Sequence, residues 1–140
     1  MDDFRLDSRL ESDSLPVCDL PLCQVRLMND ARFPWLVLIP RRPGIREVFE
    51  LSSSDQVQLW HEATEVGRVM KDATQGDKLN LATLGNVVAQ LHLHVIVRKT
   101  DDAAWPAPVW GHGEARSYDL EGQAAMRDLV LAQIQGLDLG

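Results

Sequence analysis

The sequence predicts an α+β domain built on an antiparallel sheet of about five strands with two main helices. Two observations carry that expectation. Apolar runs of strand length and two stretches of helical periodicity follow one another in the order strands, helix, strands, helix. The connections between neighbouring strands are short, which places those strands side by side in one sheet. No repeat, low-complexity tract or linker divides the chain. Residues 1–140 are therefore read as a single domain, long enough to bury a core.

The first fifteen residues set Leu6, Leu10 and Leu15 among charges, which fits a short strand or a turn of helix. From Val17 to Met28 the run is apolar and β-branched, and Pro21 marks an edge or a bend in its middle. Asn29 to Arg32 supply turn chemistry. Trp35 to Ile39 is apolar without interruption, as in a strand covered on both faces, and Pro40 closes it. Arg41 and Arg42 read as a solvated strand end.

Ser53 with Gln56 makes a capping box for a helix reaching about Ala73. Leu59, Ala63, Val66, Met70 and Ala73 form its buried stripe, His61 lies on the solvated side with no role, and Gly76 is the stop signal. Two strands follow, Lys78 to Leu84 and Gln90 to Lys99, about the turn Gly85-Asn86. A loop rich in proline and tryptophan spans Asp101 to Gly113. Met126, Val130, Ile134 and Leu137 then mark a last helix over about Leu120 to Gln135.

Composition narrows the function. Hydrophobic residues are 45% and charged residues 25%, as in a soluble globular protein. Lysine and arginine number 14 against 21 aspartates and glutamates, a formal net charge of -7. That charge argues against nucleic acid as a partner, since duplex binding rests on neutralising phosphates with cationic side chains. It leaves room for a small anionic ligand. The longest apolar run, Trp35 to Ile39, is far short of the roughly 20 residues of a membrane span. The start Met1-Asp2-Asp3-Phe4-Arg5 is acidic and lacks the pattern of a signal peptide, so a cytoplasmic location is expected. Cys18 and Cys23 read as free, partly buried thiols, because two thiols alone complete no tetrahedral zinc site.

The informative stretch runs from Gly85 to Arg98. In an extended strand, side chains alternate between faces. Leu91, Leu93, Val95 and Val97 then point one way, and Gln90, His92, His94, Ile96 and Arg98 the other. Three readings compete for the paired histidines. They sit idle on the wetter face of an edge strand. Alternatively, they are two ligands of a metal site whose third ligand, His61 or His112, would come from an unrelated segment. Finally, one imidazole is a nucleophile or general base toward a phosphate held by the amides of the glycine turn.

A family resemblance bears on that choice. Gln90-Leu91-His92-Leu93-His94-Val95-Ile96, preceded by Gly85-Asn86-Val87-Val88, resembles the motif of the histidine triad (HIT) superfamily of nucleotidyl hydrolases and transferases. That motif is His-φ-His-φ-His-φ-φ, with φ apolar, after a Gly-Gln-x-Val turn. Asn29 and the strand LVLIP from Leu36 to Pro40 are similar to the family's nucleoside-binding strand pair. Asn80-Leu81-Ala82 is similar to its Asn-x-Gly approach to the phosphate loop. The likeness covers roughly residues 20 to 100. It implies the HIT fold, a homodimer, a nucleotide derivative as substrate and no metal or other cofactor. His92 matches the histidine that attacks the α-phosphorus, and His94 the one that hydrogen-bonds the phosphate oxygens. Asn29 would contact the ribose. The amides of Asn86, Val87 and Val88 would cradle the phosphate.

The chain departs from that pattern in two places. Gln90 stands where the first histidine belongs. It can orient a neighbour by hydrogen bonding but carries no proton through a titration near neutrality. Trp35 stands where many members have a histidine. The pattern is similar to a bacterial branch with glutamine at that place and a Trp-Pro-x-Pro-Val-Trp-Gly loop, here Trp105 to Gly111. Trp105 and Trp110 pack that loop onto the sheet, close over a nucleobase or cover a subunit boundary, and His112 is exposed. Arg98 lies roughly 20 Å along the strand from the site. The expected function is hydrolysis or transfer at the α-phosphate of a nucleotide derivative, such as a dinucleoside polyphosphate or a nucleoside phosphoramidate, through a covalent nucleotidyl-histidine. The alternative is a nucleotide-binding module with little or no catalysis.

Overall fold

Trp35–Pro40, the uninterrupted apolar run, is the middle strand of the sheet, and every one of its residues is buried. A computed structural model describes residues 3–140. Met1 and Asp2, where the reading for a signal peptide begins, lie outside the described residues. The element order is α1 (Ser8–Asp13), β1 (Ser14–Asp19), β2 (Cys23–Met28), β3 (Trp35–Pro40), α2 (Ser53–Ala73), β4 (Lys78–Ala82), β5 (Leu93–Arg98) and α3 (Leu120–Gln135). The strands make one antiparallel five-stranded sheet in the order β1-β2-β3-β5-β4. The expected α+β class is thus present, with the short α1 added to the two long helices.

Several boundaries differ from expectation for local physical reasons. The run from Val17 to Met28 is a hairpin of two strands, not one bent strand. Pro21 sits exposed in its turn, where its missing N–H removes nothing from the ladder, and Leu20 N–H closes the turn on Cys23 O at 2.8 Å. Arg41 is not a solvated strand end, whereas Arg42 is exposed as expected. The Arg41 guanidinium donates to Leu20 O, Pro21 O and Cys23 O, and Arg42 pairs with Asp55 at 2.7 Å. The cap of α2 is Ser52 rather than Ser53, its hydroxyl accepting from Asp55 N–H at 3.1 Å. The backbone after α2 turns at Gln75, with φ 55°. Gly76 is needed for space, because a Cβ there would lie 2.2 Å from Val97 Cγ1.

The two faces of the sheet are covered differently, and this creates the site. Leu36, Leu38, Leu93, Val95 and Val97 face the main core, where Leu59, Ala63, Val66 and Met70 of α2 and Val130 of α3 meet them. Each such side chain, fully buried, contributes about 1.5–3 kcal/mol. On the other face, Val37 and Ile39 lie under Leu10, Phe4 and Leu6 of the N-terminal segment. Trp35 and Ile96 lie under Ala104 and Val109 of the 101–113 loop, with Phe33 beside them. Between those two covers the sheet is open.

Candidate active site

That opening is lined by His92, His94, Trp35, Met28 and Trp110, with the turn Leu84 to Val88 on one side and Arg9, Leu10 and Asp13 on the other. Its volume is about 330 Å³. A second chamber of about 490 Å³ adjoins it, sharing Asp13, Met28, Trp35 and Trp110 and lined beyond them by Asn29, Asp30, Arg32 and His112 among others. Both volumes lie in the range of small-molecule sites.

The alternation inferred for the histidine strand holds through residues 91–98. Leu91, Leu93, Val95 and Val97 join the main core, while His94, Ile96 and Arg98 face the other way. The ladder, however, starts at Leu93, paired with Leu38, so Gln90 to His92 precede the strand. Leu91 N–H leaves the sheet to bond Ile45 O at 2.9 Å, and this bends the chain away from β3.

Each imidazole is held by one nitrogen. His92 Nδ1 lies 2.6 Å from the backbone oxygen of Gln90. A carbonyl only accepts, so Nδ1 carries the proton and Nε2 keeps its lone pair. His94 Nδ1 receives the indole N–H of Trp35 at 3.0 Å. Indole only donates, so here Nδ1 is the acceptor and Nε2 carries the proton. The two rings meet edge to face with centroids 4.9 Å apart, and Trp110 stands 5.1 Å from His94 and 6.0 Å from Trp35. Burial, together with the neighbouring His92, pushes the His94 pKa down to about 3. His94 is therefore a neutral donor throughout the physiological range.

The remaining expected residues divide. Gly85 has φ 76°, a left-handed turn that glycine adopts without strain. No backbone hydrogen bond among the described residues uses the N–H of Asn86, Val87 or Val88, and all three residues line the cavity. Asn29 lines the second chamber, with Oδ1 accepting from Tyr118 N–H at 2.9 Å.

Two side chains are not where they were expected. Asn80 lines neither chamber, because its Oδ1 is engaged by Arg98 Nη1 at 3.1 Å. The amide of Gln90 faces the N-terminal segment, so the group that orients His92 is Gln90's backbone carbonyl and not its side chain. Arg98 is buried on Asp102, and His61 is exposed on α2 as expected. Trp110 both packs on the sheet and walls the two chambers, while Trp105 lies beside Arg98. Cys18 and Cys23 are both free, Cys23 being buried. Among the described residues no group of three or more His, Cys, Asp or Glu converges as a metal site, which leaves His92 and His94 without a third ligand.

Comparisons with known proteins place the chain in a family. The family model of the HIT domain matches residues 9–101. The chain belongs to the HIT domain family. A histidine triad protein of Sinorhizobium meliloti 1021 shares 47% identity with this HIT domain, with a TM-score of 0.91, over 93% of this chain and 96% of that one. One from Bradyrhizobium japonicum shares 43%, with a TM-score of 0.93, over 95% and 99%. One from Marinobacter aquaeolei VT8 shares 42%, with a TM-score of 0.95, over 98% and 100%. No curated protein matches the chain. The expected HIT fold is therefore present along nearly the whole HIT chain. Arg9, Asp13 and Met28 belong to the site without having been signalled by the motif. Trp35, by contrast, stands out in the sequence as a departure from the motif.

Proposed function

We propose that the protein hydrolyses or transfers at the α-phosphate of a nucleotide derivative, through a covalent nucleotidyl-histidine on His92. The observation that carries this reading is the free lone pair of His92 Nε2 in a small-molecule cavity beside unengaged amides. Imidazole is both a good nucleophile and a good leaving group near neutral pH, so it divides one phosphoryl displacement into two steps. In the first, Nε2 forms a bond to the α-phosphorus while the bond from phosphorus to the leaving group breaks. The leaving group departs with that electron pair and takes its proton from solvent, because Gln90 has none to give. In the second, water attacks the phosphorus, the P–N bond returns its pair to Nε2, and the proton that the water loses passes to solvent.

His94 acts as a neutral Nε2–H donor to the equatorial oxygens, alongside the N–H groups of Asn86, Val87 and Val88. Donors already aimed at developing charge need no reorganisation during the reaction. Asn29, in the adjoining chamber, contacts the ribose. No step requires a group from outside the chain except substrate and water. Two copies of the chain form a homodimer, so light scattering gives twice the 15.7 kDa chain mass; the single-chain mass contradicts it.

The test is AMP release from an adenosine phosphoramidate and from a diadenosine polyphosphate. His92→Ala abolishes it, a loss of roughly a thousandfold or more, as for removal of a nucleophile. Undiminished turnover in His92→Ala contradicts the reading. One observation favours a second reading, a nucleotide-binding module with little catalysis. Gln90 supplies no titrating proton where the family has a histidine. Saturable AMP binding without any release of product selects that reading.

A further inference from the structure

We propose that Gln90 is a positioning residue that fastens the N-terminal segment over the cavity, and that Arg9 on that segment contacts the substrate's phosphate charge. This rests on the nucleotide reading above. Gln90 Oε1 accepts from Asp7 N–H at 2.8 Å, and its Nε2 donates to Arg5 O at 2.7 Å. The amide thus engages the carbonyl before Leu6 and the N–H after it, the two groups a parallel strand neighbour would take. A glutamine does this with one fixed donor and one fixed acceptor, independently of pH.

Asp7 is also the N-cap of α1, its Oδ1 accepting from Arg9 N–H at 2.8 Å. The tether therefore fixes the residue from which the helix starts. The far end is fastened by Arg26 of β2. Its buried guanidinium donates to Ser14 Oγ at 2.7 Å, to Ser14 O at 2.9 Å and to Glu11 O at 3.2 Å. Phe4, Leu6 and Leu10 seal the segment onto Val37 and Ile39. So held, α1 presents Arg9, Leu10 and Asp13 to the histidine chamber.

Arg9 is the one lysine or arginine lining that chamber among the described residues. Its only ion pair there is a loose one to Asp13 at 3.7 Å, with both side chains more than half exposed, so the guanidinium can turn to a ligand. A chain of net charge -7 needs a local cation to hold a polyanionic substrate, and this segment brings one. Gln90 then serves the site by holding in place the segment that carries Arg9.

The experiment pairs amide hydrogen exchange of the ligand-free protein with AMP affinity and steady-state kinetics, for wild type, Gln90→Leu, Gln90→Glu and Arg9→Ala. Gln90→Leu loses both bonds, and Gln90→Glu keeps only the acceptor. Both variants speed exchange across Leu6–Asp13 by about tenfold, the loss of one to two hydrogen bonds. Arg9→Ala, a change at an exposed side chain, weakens AMP binding by about tenfold and places its kinetic loss on KM rather than kcat. Unchanged exchange in both Gln90 variants overturns the tether. Unchanged AMP affinity in Arg9→Ala overturns the contact. The exchange arm needs no nucleotide, so a wild type that binds no AMP defeats the proposed function and the Arg9 contact while the tether is still decided by exchange.

Discussion

The indole N–H of Trp35 points at Nδ1 of His94 at 3.0 Å, and that one bond decides which nitrogen of His94 carries the proton. The tautomer is fixed by a group that cannot titrate. Trp35→Phe keeps most of the ring but removes the donor and leaves a buried acceptor unpaired, at a cost of about 1–3 kcal/mol. We expect a lower melting temperature and a fall of roughly tenfold or more in kcat/KM as both His94 tautomers become populated. Full activity in Trp35→Phe would show that Trp35 is only a wall.

The same burial makes stability depend on pH. His94 has a folded pKa of about 3 against an ordinary value of 6.5. Between those values the unfolded chain binds a proton that the folded one excludes, so stability is full above pH 6.5 and falls as pH drops toward 3. The slope from this group is at most about 1.4 kcal/mol per pH unit. Urea titrations at pH 7 and pH 5 measure it, and His94→Asn flattens the difference. An equal difference in wild type and His94→Asn would contradict this origin.

The loop that carries Trp110 hangs on a buried ion pair. Arg98 donates to both oxygens of Asp102, at 2.8 and 3.0 Å, and also to Ala107 O. Asp102 in turn accepts from the N–H groups of Ala104 and Trp105. Burial alone would raise the Asp102 pKa, but the Arg98 guanidinium and the N–H groups of Lys99 and Ala104 bring it down to about 2. Asp102→Ala strands the Arg98 charge and costs about 3–5 kcal/mol. Tryptophan fluorescence should shift toward the solvated value, and nucleotide binding should weaken with the loss of the Trp110 wall.

Two glycines give outcomes of different size. At Gly76 an added Cβ meets Val97 Cγ1 at 2.2 Å, a branched side chain fixed in the sheet. At Gly67 it meets Leu79 Cδ2 at 2.5 Å, the end of a side chain that can rotate. Gly76→Ala is expected to cost about 1–3 kcal/mol as overpacking, and Gly67→Ala less, by denaturant titration. The reverse order would place the tight contact elsewhere.

Much of the fold can be read from residue pattern alone. The apolar stripe of α2 and the run from Trp35 declare themselves because burial imposes period 3.6 on one and covers both faces of the other. The Gly85 turn and His92-Leu93-His94 likewise locate the centre of the site. What stays hidden is long-range. Nothing local ties Asp7 to Gln90 or brings Arg9 to the cavity of His92, since that arrangement exists only once the N-terminal segment folds back over β3. Asn80 shows the converse, a polar residue at a suggestive spacing on the strand next to the histidines, opposite Ile96, whose amide is taken by Arg98. Pro21 misleads in a similar way, because a turn proline and a strand-edge proline leave the same mark in one sequence.

The most direct measurement is intact-protein mass spectrometry after rapid mixing with an adenosine phosphoramidate, for wild type and His92→Ala. Wild type should gain one adenylyl group and lose it again as AMP appears, while His92→Ala gains nothing. An adduct of equal size on His92→Ala, or AMP released by wild type with no adduct at any mixing time, would contradict the assignment of His92 as the nucleophile.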